Sequence, residues 1–202
     1  VVFQPLGVCA AITPFNFPFM IAFWFWPYAV GCGNTYIIKP SEQDPIVMHR
    51  MFELVEQAGF PPGVMNLVNG GKDAVNALCD HPRIAAVSFV GSTQTAAYVY
   101  GRASASGKRV QASGGAKNPI VVMPDANIDA YLSTIMNSFY GAAGQRCLAN
   151  SLILPIGKAH AEARDKVAEA ARKLRLGDGL EPGTELGPVV SAAARDRIIS
   201  LI

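Results

Sequence analysis

Cys147 stands in the setting that most suggests chemistry. It follows Gly141-Ala-Ala-Gly144 and the polar pair Gln145-Arg146. Small residues leave room for a substrate to approach, and a cysteine thiolate is a ready nucleophile. A cysteine is equally a small buried hydrophobe. That second reading fits Cys9, Cys32 and Cys79, each in an apolar run. Arg146 offers a planar fork that can grip a carboxylate through two hydrogen bonds; a structural ion pair or a phosphate contact is the equal alternative. Asn16 stands among apolar residues after a strand-like run. Its carboxamide can donate to a developing oxyanion or satisfy a turn. Lys39 and Glu42 can bracket a diol, or form a solvated pair at a helix start. In Phe89-Val90-Gly91-Ser92-Thr93 a strand runs into a helix. Backbone N–H groups and a hydroxyl there can hold an anion, while Ser92 or Thr93 can equally be an ordinary N-cap. Lys117-Asn118 reads as a structural turn feature, and His49, His81 and His160 match no catalytic arrangement.

The elements that must position these residues alternate. Strands are expected at 7–12, 35–38, 64–68, 85–90 and 109–112, with helices after Pro18, over 47–58 and 73–79, and from Thr93 to about 106. Gly59 makes a natural helix stop. Apolar strands alternating with helices imply βαβ units and a mostly parallel sheet covered on both faces. A second block begins near Gly114, with strands at 120–123 and 151–154 and helices over 128–141, 160–174 and from Ala192. Open parallel sheets bind ligands beyond the strand C-termini, yet neither G-x-G-x-x-G nor a Walker A motif is present.

Composition excludes several classes. Half of the 202 residues are hydrophobic and 16% are charged, which rules out a disordered segment. A formal charge of +2 without a Lys/Arg run argues against nucleic-acid binding. No Cys or His cluster has zinc-ligand spacing, so no metal is expected, and the four cysteines read as reduced thiols. No charged residue precedes Lys39. Its most apolar part, 17–32, falls short of the roughly 17–25 residues of a span, is interrupted by Pro18, Pro27 and Gly31, and has no basic n-region before it. It reads as a buried helix packed on both sides, and no membrane partner is expected.

Five short words in order identify a resemblance. Thr13-Pro14-Phe15-Asn16-Phe17-Pro18, Lys39-Pro40-Ser41-Glu42, Phe89-Val90-Gly91-Ser92-Thr93, Gly114-Gly115 and Gly144-Gln145-Arg146-Cys147 resemble the NAD(P)-dependent aldehyde dehydrogenase superfamily, most of all its methylmalonate-semialdehyde branch. The resemblance implies an α/β fold: a Rossmann-like, mostly parallel NAD-binding sheet over 1–113, then the start of a second α/β catalytic domain over 114–202. It implies that Cys147 attacks an aldehyde to give a thiohemiacetal and, after hydride loss, a thioester. Asn16 and the Cys147 backbone N–H would hold the oxyanion. Lys39 and Glu42 would hold the adenosine ribose, and Gly91 and Ser92 would face the pyrophosphate. Phe15 would join them in binding NAD, and Arg146 would take the carboxylate of a semialdehyde acid.

One departure is informative. Hydrolytic members carry Glu-Leu-Gly-Gly, whose Glu activates the deacylating water. Here the words are Ala112-Ser113-Gly114-Gly115, and a methyl group cannot be a general base. A better nucleophile than water, the thiol of coenzyme A, would then resolve the acyl-enzyme. The competing expectations are a hydrolytic enzyme using another base, or a non-enzymatic, partner-binding remnant. The chain resembles only the middle portion of longer family members, with no initial Met and an end inside a helix. A homo-oligomer is expected of the full-length form, in the cytoplasm, or the mitochondrial matrix in a eukaryote.

Overall fold

A computed structural model describes residues 4–201. The chain divides into two compact units between Gly115 and Ala116.

The first unit is built on β1 (Val8–Ile12), α1 (Pro18–Phe23), α2 (Trp26–Gly31), β2 (Thr35–Lys39), α3 (Ile46–Gln57), β3 (Met65–Leu67), α4 (Lys72–Asp80), β4 (Ile84–Val90), α5 (Thr93–Ala105) and β5 (Arg109–Ser113). The strands pair in the order β3-β2-β1-β4-β5, every pair parallel. The pleat of β1 explains the two-sided burial, because successive side chains point to opposite faces. Cys9 and Ala11 pack with Tyr36, Ile38, Met48 and Met51 on one face. Ala10 and Ile12 pack with Val75, Leu78, Val87, Phe89 and Val99 on the other. Small residues in the central strand let helices approach both sides of the sheet.

The strand order reverses direction at β1. From there the chain moves outward through β2 and β3, then returns to β1's other side with β4. In an open parallel sheet such a switch point leaves a crevice at the strand C-termini. The register aligns those ends: Ile12 pairs with Lys39 and with Phe89, and Thr13 N donates to Lys39 O at 3.0 Å.

Residues 17–32 depart from the sequence expectation. They form two short helices rather than one, because Pro27 occupies the first turn of α2 and cannot continue α1. Nor are they covered on both sides: Phe19, Met20, Trp24 and Tyr28 are exposed, and so is Cys32. Among the described residues no helix is long and apolar enough to cross a membrane.

The second unit contains β6 (Asn118–Val122), α6 (Ile128–Tyr140), β7 (Asn150–Pro155), α7 (Ala159–Arg172) and α8 (Ala192–Ile199). Strands β6 and β7 are parallel, with Asn118 opposite Asn150 and an irregularity between Asn118 and Pro119. Val122, Ile128, Ala159 and Ala163 form the core, with Ile153 packed against it. Asn127 caps α6, its Oδ1 accepting from Ala130 N at 3.2 Å.

Candidate active site

In the first unit a cavity of about 610 Å³ opens beyond the C-termini of β1, β2 and β4. Phe15, Lys39, Glu42, Gly91 and Ser92 all line it. They come from the end of β2 and from the loops after β1, β2 and β4, which the parallel register brings level. Asn16 is the next residue after Phe15, half-buried in the loop between β1 and α1, and is not among the lining residues.

The polar groups of the cavity are held in place. Lys39 Nζ donates to Glu42 Oε2 at 2.9 Å. The backbone N–H of Glu42 and then the Lys39 ammonium hold the Glu42 carboxyl below its ordinary range. Ser92 is the N-cap of α5, its Oγ accepting from Thr95 N at 3.3 Å. The capping role is therefore satisfied while Ser92 also lines the cavity. Thr13 also lines it, and its Oγ1 is buried with no hydrogen-bond partner.

Glycines leave room for close packing here. A Cβ on Gly91 would lie 2.5 Å from Cζ of the buried Phe89 ring. A Cβ on Gly114 would lie 3.1 Å from Thr93 Cα. Gly115 N donates to Thr93 Oγ1 at 3.0 Å, so the Gly114-Gly115 pair seats the exit of β5 against the start of α5.

In the second unit Cys147 is half-buried and lies on a loop between α6 and β7. The loop opens with a single tight turn, Gly141–Gly144. Ala142 (φ 52°, ψ 36°) and Ala143 (φ 53°, ψ 34°) are both left-handed there, followed by Gly144 at φ 72°. Non-glycine residues in that region cost on the order of 1–3 kcal/mol each. The turn is pinned by its own bonds: Gln145 N donates to Ala142 O at 3.0 Å and Ala149 N to Arg146 O at 3.1 Å.

Arg146 folds back over the end of α6. Its Nη1 donates to Asn137 O at 3.3 Å, and a Cβ on Gly141 would sit 2.8 Å from that same Nη1. Gly141 is thus the residue that makes room for the guanidinium. Arg146 Nε is buried with no hydrogen-bond partner, and no ion pair among the described residues involves Arg146.

Several residues escaped the sequence reading. Asn118 is not a turn residue: it begins β6, and its Nδ2 donates to Cys147 O at 2.8 Å and to Ala149 O at 3.0 Å. Gln145 Oε1 accepts from Val190 N at 2.9 Å, tying the loop to a segment 45 residues on. Nothing local in the sequence marks either link. Lys72 and Tyr98 complete the cavity wall. They sit on α4 and α5, which are joined by Arg102 donating to Asp80 at 2.6 and 2.8 Å. The Gly70-Gly71 pair before α4 was the available signal for Lys72.

The sequence matches the aldehyde dehydrogenase family over residues 1–202. The chain belongs to that family. It is 52% identical over 199 residues to an acylating, mitochondrial methylmalonate-semialdehyde dehydrogenase of Arabidopsis thaliana, covering 98% of this chain and 33% of that protein. It is 48% identical to malonate-semialdehyde dehydrogenase 3 of Geobacillus kaustophilus, covering 98% of this chain and 41% of that protein. Among solved structures, a Sinorhizobium meliloti protein described as a methylmalonate-semialdehyde dehydrogenase, complexed with NAD, superposes with a TM-score of 0.93 at 49% identity, covering 98% of this chain and 40% of that one. The Rossmann-like α/β fold expected from the sequence is the fold of these family members. The chain spans about a third to two fifths of the relatives it matches.

Proposed function

We propose that this chain carries the cofactor site and the nucleophile of an NAD-dependent semialdehyde dehydrogenase that releases its product as an acyl-CoA. The observation that carries the reading is the convergence of Phe15, Lys39, Glu42, Gly91 and Ser92 on one cavity, in a family whose relatives are named for semialdehydes.

The residues present fit NAD. About 610 Å³ lies within the roughly 300–1,000 Å³ of small-molecule pockets. Lys39 and Glu42 form a donor–acceptor pair suited to a ribose diol. Bare backbone at Gly91, the start of α5 and the unpartnered Thr13 hydroxyl suit a pyrophosphate. Ile12, Val75 and Phe89 give an apolar wall. NAD supplies the hydride acceptor when bound.

The chain's own residues do the rest. The Cys147 sulfur adds to the aldehyde carbon, forming a C–S bond and an oxyanion that Asn16 and the Cys147 N–H stabilise. Loss of hydride from that carbon restores the C=O and leaves a thioester on Cys147. The thiol of coenzyme A then attacks the acyl carbon and the Cys147 thiolate leaves. Arg146, with no carboxylate of its own, receives the substrate's acid group. Ala112 supports the acylating route: the position that would hold the water-activating carboxylate is a methyl group in β5, opposite Phe89. We place the reaction in the cytoplasm or mitochondrial matrix, in a homo-oligomer.

The test is NADH formation from malonate or methylmalonate semialdehyde with and without CoA. Turnover that requires CoA is expected. Equal turnover without CoA overturns the acylating reading, and turnover retained in Cys147→Ala overturns the nucleophile.

A further inference from the structure

We propose that Asn118 is a positioning residue for the nucleophile, holding the peptide that carries Cys147 through two hydrogen bonds from one carboxamide. This rests on Cys147 being the nucleophile.

The two protons of Asn118 Nδ2 go to two carbonyls of the same loop, Cys147 O at 2.8 Å and Ala149 O at 3.0 Å. Both acceptors are backbone, so the contact fixes main chain rather than a side chain. On the other side of Cys147, the turn bond from Gln145 N to Ala142 O pins the approach. The Cys147 backbone is therefore held between two fixed points, and the direction of its Cα–Cβ bond follows.

The anchor is itself anchored. Asn118 begins β6, where the ladder to β7 slips between Asn118 and Pro119. Asn150 Nδ2 reaches Asn118 O at 3.4 Å. Asn150 in turn accepts from Ser138 Oγ at 2.7 Å and donates its N–H to that oxygen at 3.2 Å. The loop is thus tied through Asn118 and Asn150 to β6, β7 and α6 together. A loop entered through two left-handed alanines needs such an external hold, since its upstream half is backbone that would relax elsewhere if released. Misplacing a nucleophile by about 1 Å can cost roughly 10²-fold in rate.

The experiment uses Asn118→Asp, which keeps shape but replaces both donated N–H groups with oxygen, and Asn118→Ser, which keeps one donor. Val122→Ala, in the core of the same unit, serves as a stability control. The readouts are the rate and amplitude of the first-turnover NADH burst per titrated Cys147 thiol, the NAD Kd, and amide exchange over 147–150. The burst rate is expected to fall about 10–100-fold in Asn118→Asp and less in Asn118→Ser, with amplitude per thiol and NAD Kd unchanged. Exchange over 147–150 should rise in Asn118→Asp and not in Val122→Ala. A burst rate within twofold of the unsubstituted chain, or a loss confined to amplitude, overturns the proposal. If the unsubstituted chain gives no burst, the functional reading fails; unchanged exchange in Asn118→Asp would then also overturn the hold on Cys147, and raised exchange would uphold it.

Discussion

The Lys39 ammonium and the Glu42 carboxylate meet at 2.9 Å in an asymmetric pair, the lysine side chain 3% exposed and the glutamate 62%. The cation is fixed by burial, while the carboxylate reaches outward and keeps acceptor capacity for a ligand. Charge-assisted hydrogen bonds contribute about 1.5–3 kcal/mol each. Lys39→Ala should therefore raise the NAD Kd by roughly 10–150-fold, measured by titration calorimetry. An unchanged Kd would remove the pair from the cofactor site.

The same pair sets a pH dependence. Glu42 is depressed below its ordinary 4.5, first by its own backbone N–H and then by Lys39. A carboxyl held below its ordinary range stays ionised until pH falls below that range, so what its charge contributes is lost only on the acid side. NAD affinity should then be insensitive to Glu42 from pH 8 to about 5 and weaken only below the ordinary carboxylate range. In Glu42→Gln that acid-side weakening should disappear. A Glu42-dependent midpoint near neutrality would contradict the placement.

Gly91 tests how closely the cavity floor is packed. A Cβ there would meet Phe89 Cζ at 2.5 Å, and Phe89 is buried between β1 and α5. Gly91→Ala should destabilise the first unit by about 1–3 kcal/mol through overpacking. Pairing it with Phe89→Leu should recover part of that loss, giving a non-additive double-mutant cycle in thermal denaturation. Additive losses would mean the ring is not what Gly91 accommodates.

What could be read from the sequence follows from how locally each feature is written. The strands of the sheet show as apolar runs, and the observed ends of β1 and β4 fall within a residue of those runs. Lys39, Glu42, Gly91 and Ser92 sit in short words at strand ends, so fold class and cavity were legible together. Residues 17–32 misled because apolar content says nothing about which face is covered. Pro27 was the visible sign of the break, and the exposure of Phe19, Trp24 and Cys32 had no local sign at all. Asn118 was missed for a different reason: its bonds to Cys147 and Ala149 span 29 and 31 residues, and only the β6–β7 register brings them together.

The cysteines should separate into two classes. Cys9 and Cys79 are buried. Burial pushes both thiols up, with the Asp80 charge adding to Cys79, so they should resist alkylation until the chain unfolds. Cys32 is exposed and Cys147 half-exposed. Peptide mapping after brief iodoacetamide treatment at pH 7.5 should therefore find label at these two. Prior incubation with NAD and a semialdehyde acid, without CoA, should protect Cys147 and leave Cys32 untouched. Equal labelling of both after that incubation would mean that no acyl-enzyme forms on Cys147.

Ala112 gives the sharpest test of the proposed CoA dependence. It lies in β5 opposite Phe89 and packs partly buried against the core shared with β1 and α5. Ala112→Glu would put a carboxylate where none of this chain's own now stands. A positioned general base is worth roughly 10²–10⁴-fold, and on the proposed acylating reading CoA-independent release of free acid is expected to rise by about tenfold or more. The cost should appear as a lower thermal midpoint, because a charge at a partly buried strand position loses hydration. Both changes are expected together, read by product analysis without CoA and by thermal denaturation of the same preparation. If the substituted chain stays folded and binds NAD while acid release remains at its original floor, the proposed link between the missing carboxylate at Ala112 and CoA dependence fails.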